Sequence, residues 1–268
     1  MLVQGGHEGV NQWCPLIAQL DDVTSVDFAN SDIDDGGFAH LCKLRELRCL
    51  SFWGNRITLE GTSCAKAWDK LVRLQFSSRS AKGFLSVFAA LPNLEVLDSQ
   101  NCELSENDLA SLAQYKTLRE LRLCMNPIER GLRYAAACKQ LRVLDLSSTE
   151  LTLDGVKELA FLDNLSSLTL NHCPIDDEMC IALGDVGALR ELKLGQTHLT
   201  SRASIVLRKL HRLTTLLWPS AAIDLGNIDD FAQLPYLRTL IVPDDPRPSV
   251  LVANALREAL PNCDVDIW

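Results

Sequence analysis

The sequence is poor in aromatic residues and has no long uninterrupted apolar run. Phe, Trp and Tyr make up 6% of the 268 residues. No stretch reaches the ~18–20 apolar residues that a membrane-spanning helix needs, and Met-Leu-Val-Gln-Gly-Gly-His-Glu lacks the charged and apolar regions of a signal peptide. We therefore expect a soluble, cytoplasmic protein with no membrane partner. Export of the chain as an effector remains an open alternative.

Positive charge is also in short supply. The chain has 26 Lys and Arg residues against 35 Asp and Glu residues, so its formal net charge is −9. Proteins that bind nucleic acid need clustered Lys and Arg side chains to contact phosphates. The balance therefore predicts that nucleic acid is not a partner.

The common motifs of enzymes and metal sites are missing as well. The sequence contains no C-x-x-C pair, no G-x-x-x-x-G-K-[ST], no G-x-S-x-G and no H-E-x-x-H. His172 and Cys173 are adjacent, but neighbouring side chains at a strand end point apart and do not form a nucleophile–base pair. We expect no catalytic residue, no metal and no cofactor.

Ten cysteines are present in the chain. Disulfide frameworks stabilise short secreted chains that lack a large core, and this chain is long, so reduced thiols are the better expectation. Most of these cysteines are interpreted as small buried residues. Cys49 and Cys124 are the two expected to react first with a thiol reagent.

What the sequence does contain is an internal repeat. A six-residue frame, L-x-x-L-x-L with apolar substitutes, recurs every 23 or 24 residues. The ten frames begin at Val23, Leu47, Leu71, Leu94, Leu118, Leu141, Leu165, Leu189, Leu213 and Leu237. Such a fixed period indicates stacked structural units, each too small to bury its apolar face alone.

Each unit has the pattern of a short strand followed by a helix. The fourth and sixth frame positions alternate as in a strand that faces a core. A small polar residue or thiol follows the strand, at Asn55, Cys102, Asn126, Thr149, Cys173 and Thr197. Residues suited to cap a helix N-terminus come next, at Asp34, Thr58, Ser105, Thr152, Asp176, Thr200 and Asp224. Two departures, Ser99 at a sixth position and Arg79 with Ala81 in the third repeat, predict a local irregularity.

These features resemble the leucine-rich repeat proteins. The stretch CKQLRVLDLSSTELTLDGVKELAFLDNLSSLTLNHCPI is similar to the ribonuclease-inhibitor and cysteine-containing classes, in which a Cys precedes the strand and Asn, Cys or Thr follows it. The ending ALPNCDVDIW resembles the closing strand of bacterial leucine-rich repeat proteins.

The resemblance implies an α/β fold, a right-handed β–α solenoid or horseshoe with parallel strands on the concave side and helices on the convex side. We divide the chain into an N-terminal cap over residues 1–22, ten repeats over 23–247, and a C-terminal cap over 248–268. The C-terminal cap is predicted to contain a helix opened by Ser249 and a strand over 263–268.

The third, fifth and seventh positions of each frame are expected to lie on the concave face. Residues predicted to bind a partner there are Trp53, Gln75, Asp98, Arg122, Asp145, Lys193, Leu217 and Ile241. Asp98, Arg122 and Asp145 form either a solvated ladder of ion pairs or a polar recognition stripe. Leu217 and Ile241 either form an exposed apolar patch or lie under the C-terminal helix. Trp53 either anchors a partner or packs against the N-terminal cap.

The resemblance implies a non-enzymatic module that binds another protein, as a scaffold, an adaptor or a bacterial effector. A substrate-receptor subunit of a ubiquitin ligase is the alternative, although 22 residues before the first repeat are too few for an F-box. An enzyme is the third hypothesis. Because fold does not determine ligand, the partner's identity and the oligomeric state stay open.

Overall fold

The computed structural model describes residues 1–4, 9–77, 81–243 and 247–267. Its contacts divide the chain into two compact units, residues 1–140 and 141–268. Arg79, part of the predicted irregularity, lies outside the described residues. Ala81 and Ser99 are both fully buried.

The first unit contains a parallel sheet in which each strand pairs with the next one along the chain. Its described strands are β1 (Leu2–Gln4), β2 (Ser25–Asp27), β3 (Cys49–Ser51), β4 (Arg73–Gln75), β5 (Val96–Asp98) and β6 (Glu120–Arg122). The middle residue of each strand from β2 to β6 is at most 1% exposed and sits in register with its neighbours. These are the fourth positions of the sequence frame.

Short helices connect these strands. The described α-helices of the first unit are α1 (Cys14–Ile17), α2 (Asp35–Leu41), α3 (Phe84–Phe88), α4 (Glu106–Leu109) and α5 (Leu132–Ala135). Its described 3₁₀ helices span Val10–Gln12, Gly61–Ala67 and Ala110–Gln114. The few aromatic residues are concentrated here, where Phe52 and Phe76 stack with ring centroids 5.7 Å apart in the core.

The second unit repeats the same plan, again with every pairing parallel. Its described strands are β7 (Val143–Asp145), β8 (Ser167–Thr169), β9 (Glu191–Lys193), β10 (Thr215–Leu217), β11 (Thr239–Val242) and β12 (Asp264–Ile267). Its described helices are α6 (Leu153–Glu158), α7 (Asp177–Ala182), α8 (Ile228–Ala232) and α9 (Val250–Ala259), with 3₁₀ helices at Leu159–Phe161, Leu183–Asp185, Ser201–Arg208 and Ser220–Ala222. Alternating strands and helices in parallel register confirm the predicted leucine-rich repeat β–α solenoid.

The helix starts follow the predicted caps in five repeats. Side chains of Asp34, Thr152, Asp176 and Thr200 accept hydrogen bonds from first-turn backbone N–H groups, and Ser105 forms a capping box with Asp108. The prediction was wrong at Asp224. Its carboxylate accepts from Gly226 N at 2.8 Å within a turn, so the helix starts only at Ile228.

The cysteine expectation was wrong for one pair. Cys42, at the end of α2, forms a disulfide with Cys64 in the following 3₁₀ helix, with Cα atoms 5.9 Å apart. The two residues lie 22 positions apart, close to one repeat period, so stacking places them side by side. Among the described residues, no helix is long and apolar enough to span a bilayer.

Candidate functional site

The backbone that leaves β5 and β6 is fixed by a buried polar side chain, Asn126. Asn126 is 2% exposed, and its Oδ1 accepts from the N–H groups of Cys102 and Leu104, each at 3.0 Å. Its Nδ2 donates to the carbonyl oxygens of Ser99, Leu123 and Cys124. One side chain therefore ties two adjacent repeats together, which holds the residues after β5 and β6 in place.

A pocket of about 420 Å³ opens at this end of the strands in the first unit. Its wall includes Trp53, Gln75, Phe76, Asp98, Gln100 and Met125. Three of these residues, Trp53, Gln75 and Asp98, were predicted from the sequence as partner-binding residues, and the structure brings them together.

Asp98 is the charged group of the pocket, and it is only 8% exposed. Its Oδ2 accepts from Nε2 of Gln75 at 3.3 Å and from Nε2 of Gln100 at 3.1 Å. Amide donors on both sides compensate part of the cost of burying a carboxylate. Oδ1 is the oxygen that neither amide engages.

Two apolar side chains stand open to solvent at the same pocket. Trp53 is 46% exposed and Met125 is 52% exposed, whereas Phe76 beneath them is 1% exposed. An exposed Trp and Met beside a buried carboxylate combine a large apolar contact surface with a specific polar group, which is the composition of a binding pocket.

Arg122 is the register partner of Asp98 on the neighbouring strand, as the frame predicts. Its guanidinium forms an ion pair with Glu120, two residues earlier on the same face of β6. Arg122 is not among the residues that line the pocket.

The other predicted polar residues lie in the second unit. Asp145 Oδ1 accepts from the backbone N–H and the hydroxyl of Ser147, at 3.0 and 2.7 Å. Lys193 pairs with Glu191 at 2.7 Å on β9, and this bond lowers the pKa of the Glu191 carboxyl.

Leu217 and Ile241 are register partners on β10 and β11, and both are half-buried. Helix α9 packs against α8 and β12. It begins at Val250, where Ser249 accepts from Val252 N, as expected from the sequence.

The sequence prediction omitted the five other residues that line the pocket, Phe76, Ser77, Gln100, Asn101 and Met125. Gln100 occupies the seventh position of its frame, one of the positions expected on the concave face, so the repeat pattern could have identified it. Met125 has a positive φ of 56° in the turn after the strand, at the eighth position of its repeat, where Asn101 and Ser148 also have positive φ. The period therefore locates this turn, but the columns chosen for the concave face stop one residue before it.

Cysteine chemistry does not add a reactive centre. Cys173 donates to the carbonyl oxygen of Leu146 at 3.1 Å, and burial raises the pKa of its thiol. Cys124, expected to be reactive, is 6% exposed, so that expectation was wrong, whereas Cys49 is half-buried. Among the described residues, no group of His, Cys, Asp and Glu is arranged to hold a metal ion.

No protein-family model matches this chain, and no curated protein matches it. Among solved structures, an internalin, InlF, from Listeria monocytogenes is similar at 19% identity and a TM-score of 0.56, covering 93% of this chain and 82% of that one. TLR13, in its complex with ssRNA13, is similar at 22% identity and a TM-score of 0.62, covering 84% of this chain and 33% of that one. Both are leucine-rich repeat proteins, and at these identities they show that fold for this chain.

Proposed function

We propose that this chain is a non-enzymatic binding module that contacts another protein through its strand face, the surface made by the third, fifth and seventh frame positions. The proposed contact residues are Trp53, Gln75, Asp98, Arg122, Asp145, Lys193, Leu217 and Ile241. The observation that carries the proposal is the pocket at Trp53, Asp98 and Met125.

Physical arguments support this surface as a contact site. Trp53 and Met125 leave about half of their surface in water, which costs free energy unless a partner covers them. Trp is also enriched among the residues that contribute most to protein–protein affinity. The buried Asp98 adds specificity, because a partner must supply donors that match it.

We further propose the ribonuclease-inhibitor and cysteine-containing classes as the nearest repeat type. Cys102 and Cys173 support this assignment, since both thiols lie at the post-strand position and donate to backbone carbonyl oxygens. Asn126 and Thr149 use the same position in the same way.

The cysteines bear on whether the protein acts as an exported effector or as a cytoplasmic scaffold. Disulfides persist in oxidising surroundings, so the Cys42–Cys64 bond favours an exported effector. Within the described residues, the other eight cysteines form no disulfide, which favours a cytoplasmic scaffold. Counting reactive thiols by mass spectrometry in protein trapped from its native cells separates the two.

The binding proposal is tested by selecting ligands from a random-peptide display library on the intact protein. We expect selected peptides to lose at least about 10-fold in affinity for Trp53→Ala, the size expected for a hot-spot residue. Trp13→Ala is the matched control, because Trp13 is 55% exposed but lies next to α1, away from the strand face. Leu217→Asp and Arg122→Glu probe the rest of the face. Peptides bound equally by wild type and all three strand-face variants would overturn the proposal.

A further inference from the structure

The pocket beside Asp98 offers several hydrogen-bond acceptors close together. An ionised carboxylate only accepts hydrogen bonds, so the amide nitrogens of Gln75 and Gln100 must be the atoms that face Asp98. Each amide oxygen is then on the other branch of its side chain. Among the described residues, none donates a hydrogen bond to the amide oxygen of Gln75, to that of Gln100 or to Asp98 Oδ1.

Three acceptors thus belong to one pocket, and Asp98, the residue that carries the charged one, is only 8% exposed. A charged donor forms a stronger hydrogen bond to a carboxylate than a neutral amide does. A ligand that supplied positive charge and several N–H groups would therefore match these acceptors.

The remaining walls combine three apolar side chains with the polar residues Ser77 and Asn101. Trp53 and Met125 are both about half exposed at the opening, and Phe76 lies below. An indole face attracts a cation held within about 6 Å of the ring. Methylene groups of a long side chain pack against such walls while the charged end reaches a polar group.

From these contacts we propose that the pocket binds the ammonium group of a lysine side chain presented by the partner protein. This proposal rests on the proposed function, because it names the chemistry of the partner at the same surface. The ammonium donates to Asp98 Oδ1 and to the amide oxygens of Gln75 and Gln100, and the four methylenes lie along Trp53 and Met125.

The acceptor geometry favours lysine over arginine. Arginine binds a carboxylate best through two parallel N–H bonds, one to each oxygen. In Asp98 one of those oxygens, Oδ2, already accepts two amide hydrogen bonds. Lysine instead carries three rotatable donors on one atom, which suits three acceptors on three side chains.

Arg122, which neighbours Asp98 in the sheet, does not occupy the proposed lysine site. Arg122 is opposite Asp98 in register, but its guanidinium pairs with Glu120 and does not line the pocket. The net charge of −9 for the whole chain also favours a basic ligand over an acidic one.

The test is a titration of Nα-acetyl-lysine amide into the full-length protein, followed by NMR of the tryptophan indole N–H signals. Trp53→Phe identifies the Trp53 signal. We expect a saturable shift of that signal, with a dissociation constant in the range of about 1 mM that one side chain can supply. Nα,Nε-diacetyl-lysine amide differs only in its acetylated side-chain nitrogen, has no charge and should produce no saturable shift.

Two variants form a matched pair. Asp98→Asn should weaken the lysine probe at least about 10-fold, because it removes the charge. Asp27→Asn should leave the binding unchanged, because Asp27 occupies the same column of the same sheet but does not line the pocket. Circular dichroism and thermal unfolding check that both variants fold. If Asp98→Asn does not fold, Trp53→Ala gives a second variant that should lose binding.

The outcomes separate the two proposals. If peptides from the display selection depend on Trp53 but the lysine probe does not shift its signal, the protein-binding surface stands and the lysine pocket is wrong. If the probe binds but no peptide depends on Trp53, the pocket stands and the protein-binding role is wrong. Nα-acetyl-arginine amide is titrated in the same way and should bind more weakly than the lysine probe. Equal binding of the two probes, or equal binding of the lysine probe by Asp98→Asn and wild type, would also overturn the lysine assignment.

Discussion

Buried polar side chains in this chain differ in whether they have hydrogen-bond partners. Removing a partnered group should therefore lower the free energy of unfolding, whereas removing an unpartnered one should raise it. Ser99 occupies a core position that is apolar in the other nine repeats, and within the described residues its buried hydroxyl has no hydrogen-bond partner. Ser99→Ala should therefore raise the free energy of unfolding by about 1 kcal/mol. Ser111→Ala is the control and should lower it, because the Ser111 hydroxyl donates to Asp108 O at 2.8 Å. Urea denaturation of both variants measures these changes in unfolding free energy, and a loss of stability in Ser99→Ala would contradict the prediction.

Asn126 represents the opposite case, a buried side chain with every polar atom engaged. Asn126→Ala leaves two N–H groups and three carbonyl oxygens without their shared partner, so we expect a loss of about 3 kcal/mol in unfolding free energy. The matched Asn93→Ala removes one exposed hydrogen bond, to Asp69 O, and should cost less than about 1 kcal/mol. Similar midpoints for the two variants in denaturant would count against the proposed role of this asparagine.

Thiol reactivity also depends on residue-level burial. Burial raises the pKa of Cys138 to about 11, so at neutral pH almost none of this thiol is in the reactive thiolate form. Iodoacetamide should label the half-buried Cys49 first in the native protein and leave Cys138 and Cys124 unmodified. Raising the pH towards 11 should expose Cys138 to labelling and lower stability, because the folded state disfavours its thiolate. Peptide mapping by mass spectrometry checks the order, and early labelling of Cys138 would contradict it.

At the scale of elements, the disulfide joins two consecutive connecting helices. Trp68 reinforces the same contact, since its Nε1 donates to Leu41 O at 3.1 Å and its ring packs edge-on against Phe38. A cross-link between residues 22 positions apart stabilises a fold by about 3 kcal/mol in the chain-entropy account. Dithiothreitol should therefore lower the melting temperature of the wild type. The double variant Cys42→Ser/Cys64→Ser should melt at that lower temperature with or without the reductant, and an unchanged wild-type transition would contradict the prediction.

The element level also shows how far the sequence could predict this structure. Strand register followed directly from the leucine period, so Asp98 and Arg122 are neighbours as expected. The side-chain pairing did not follow, because residues two apart on one strand share a face and Glu120 competes for Arg122. Met125 escaped prediction because it lies in a turn, and the 3₁₀ form of Ser201–Arg208 escaped because apolar spacing does not distinguish it from an α-helix.

At the scale of the whole molecule, the net charge favours binding of basic polypeptide segments over binding of nucleic acids. The excess of nine acidic residues produces a field that repels phosphates and attracts basic segments. The similarity to a TLR13 structure that contains ssRNA concerns fold, and fold does not transfer a ligand.

We therefore expect this chain not to bind single-stranded RNA. In fluorescence anisotropy with a labelled oligonucleotide, no saturation should occur up to protein concentrations of about 100 µM, the weak end of typical non-specific affinities. Lowering the salt from about 200 to about 50 mM should not create binding, because an acidic surface releases few counterions from RNA. A lysine-containing peptide serves as the positive control, and its affinity should increase over the same change in salt, since opposite charges are screened less. RNA affinity that rises steeply as salt is removed would reveal a basic surface able to overcome the net charge, and would contradict the prediction.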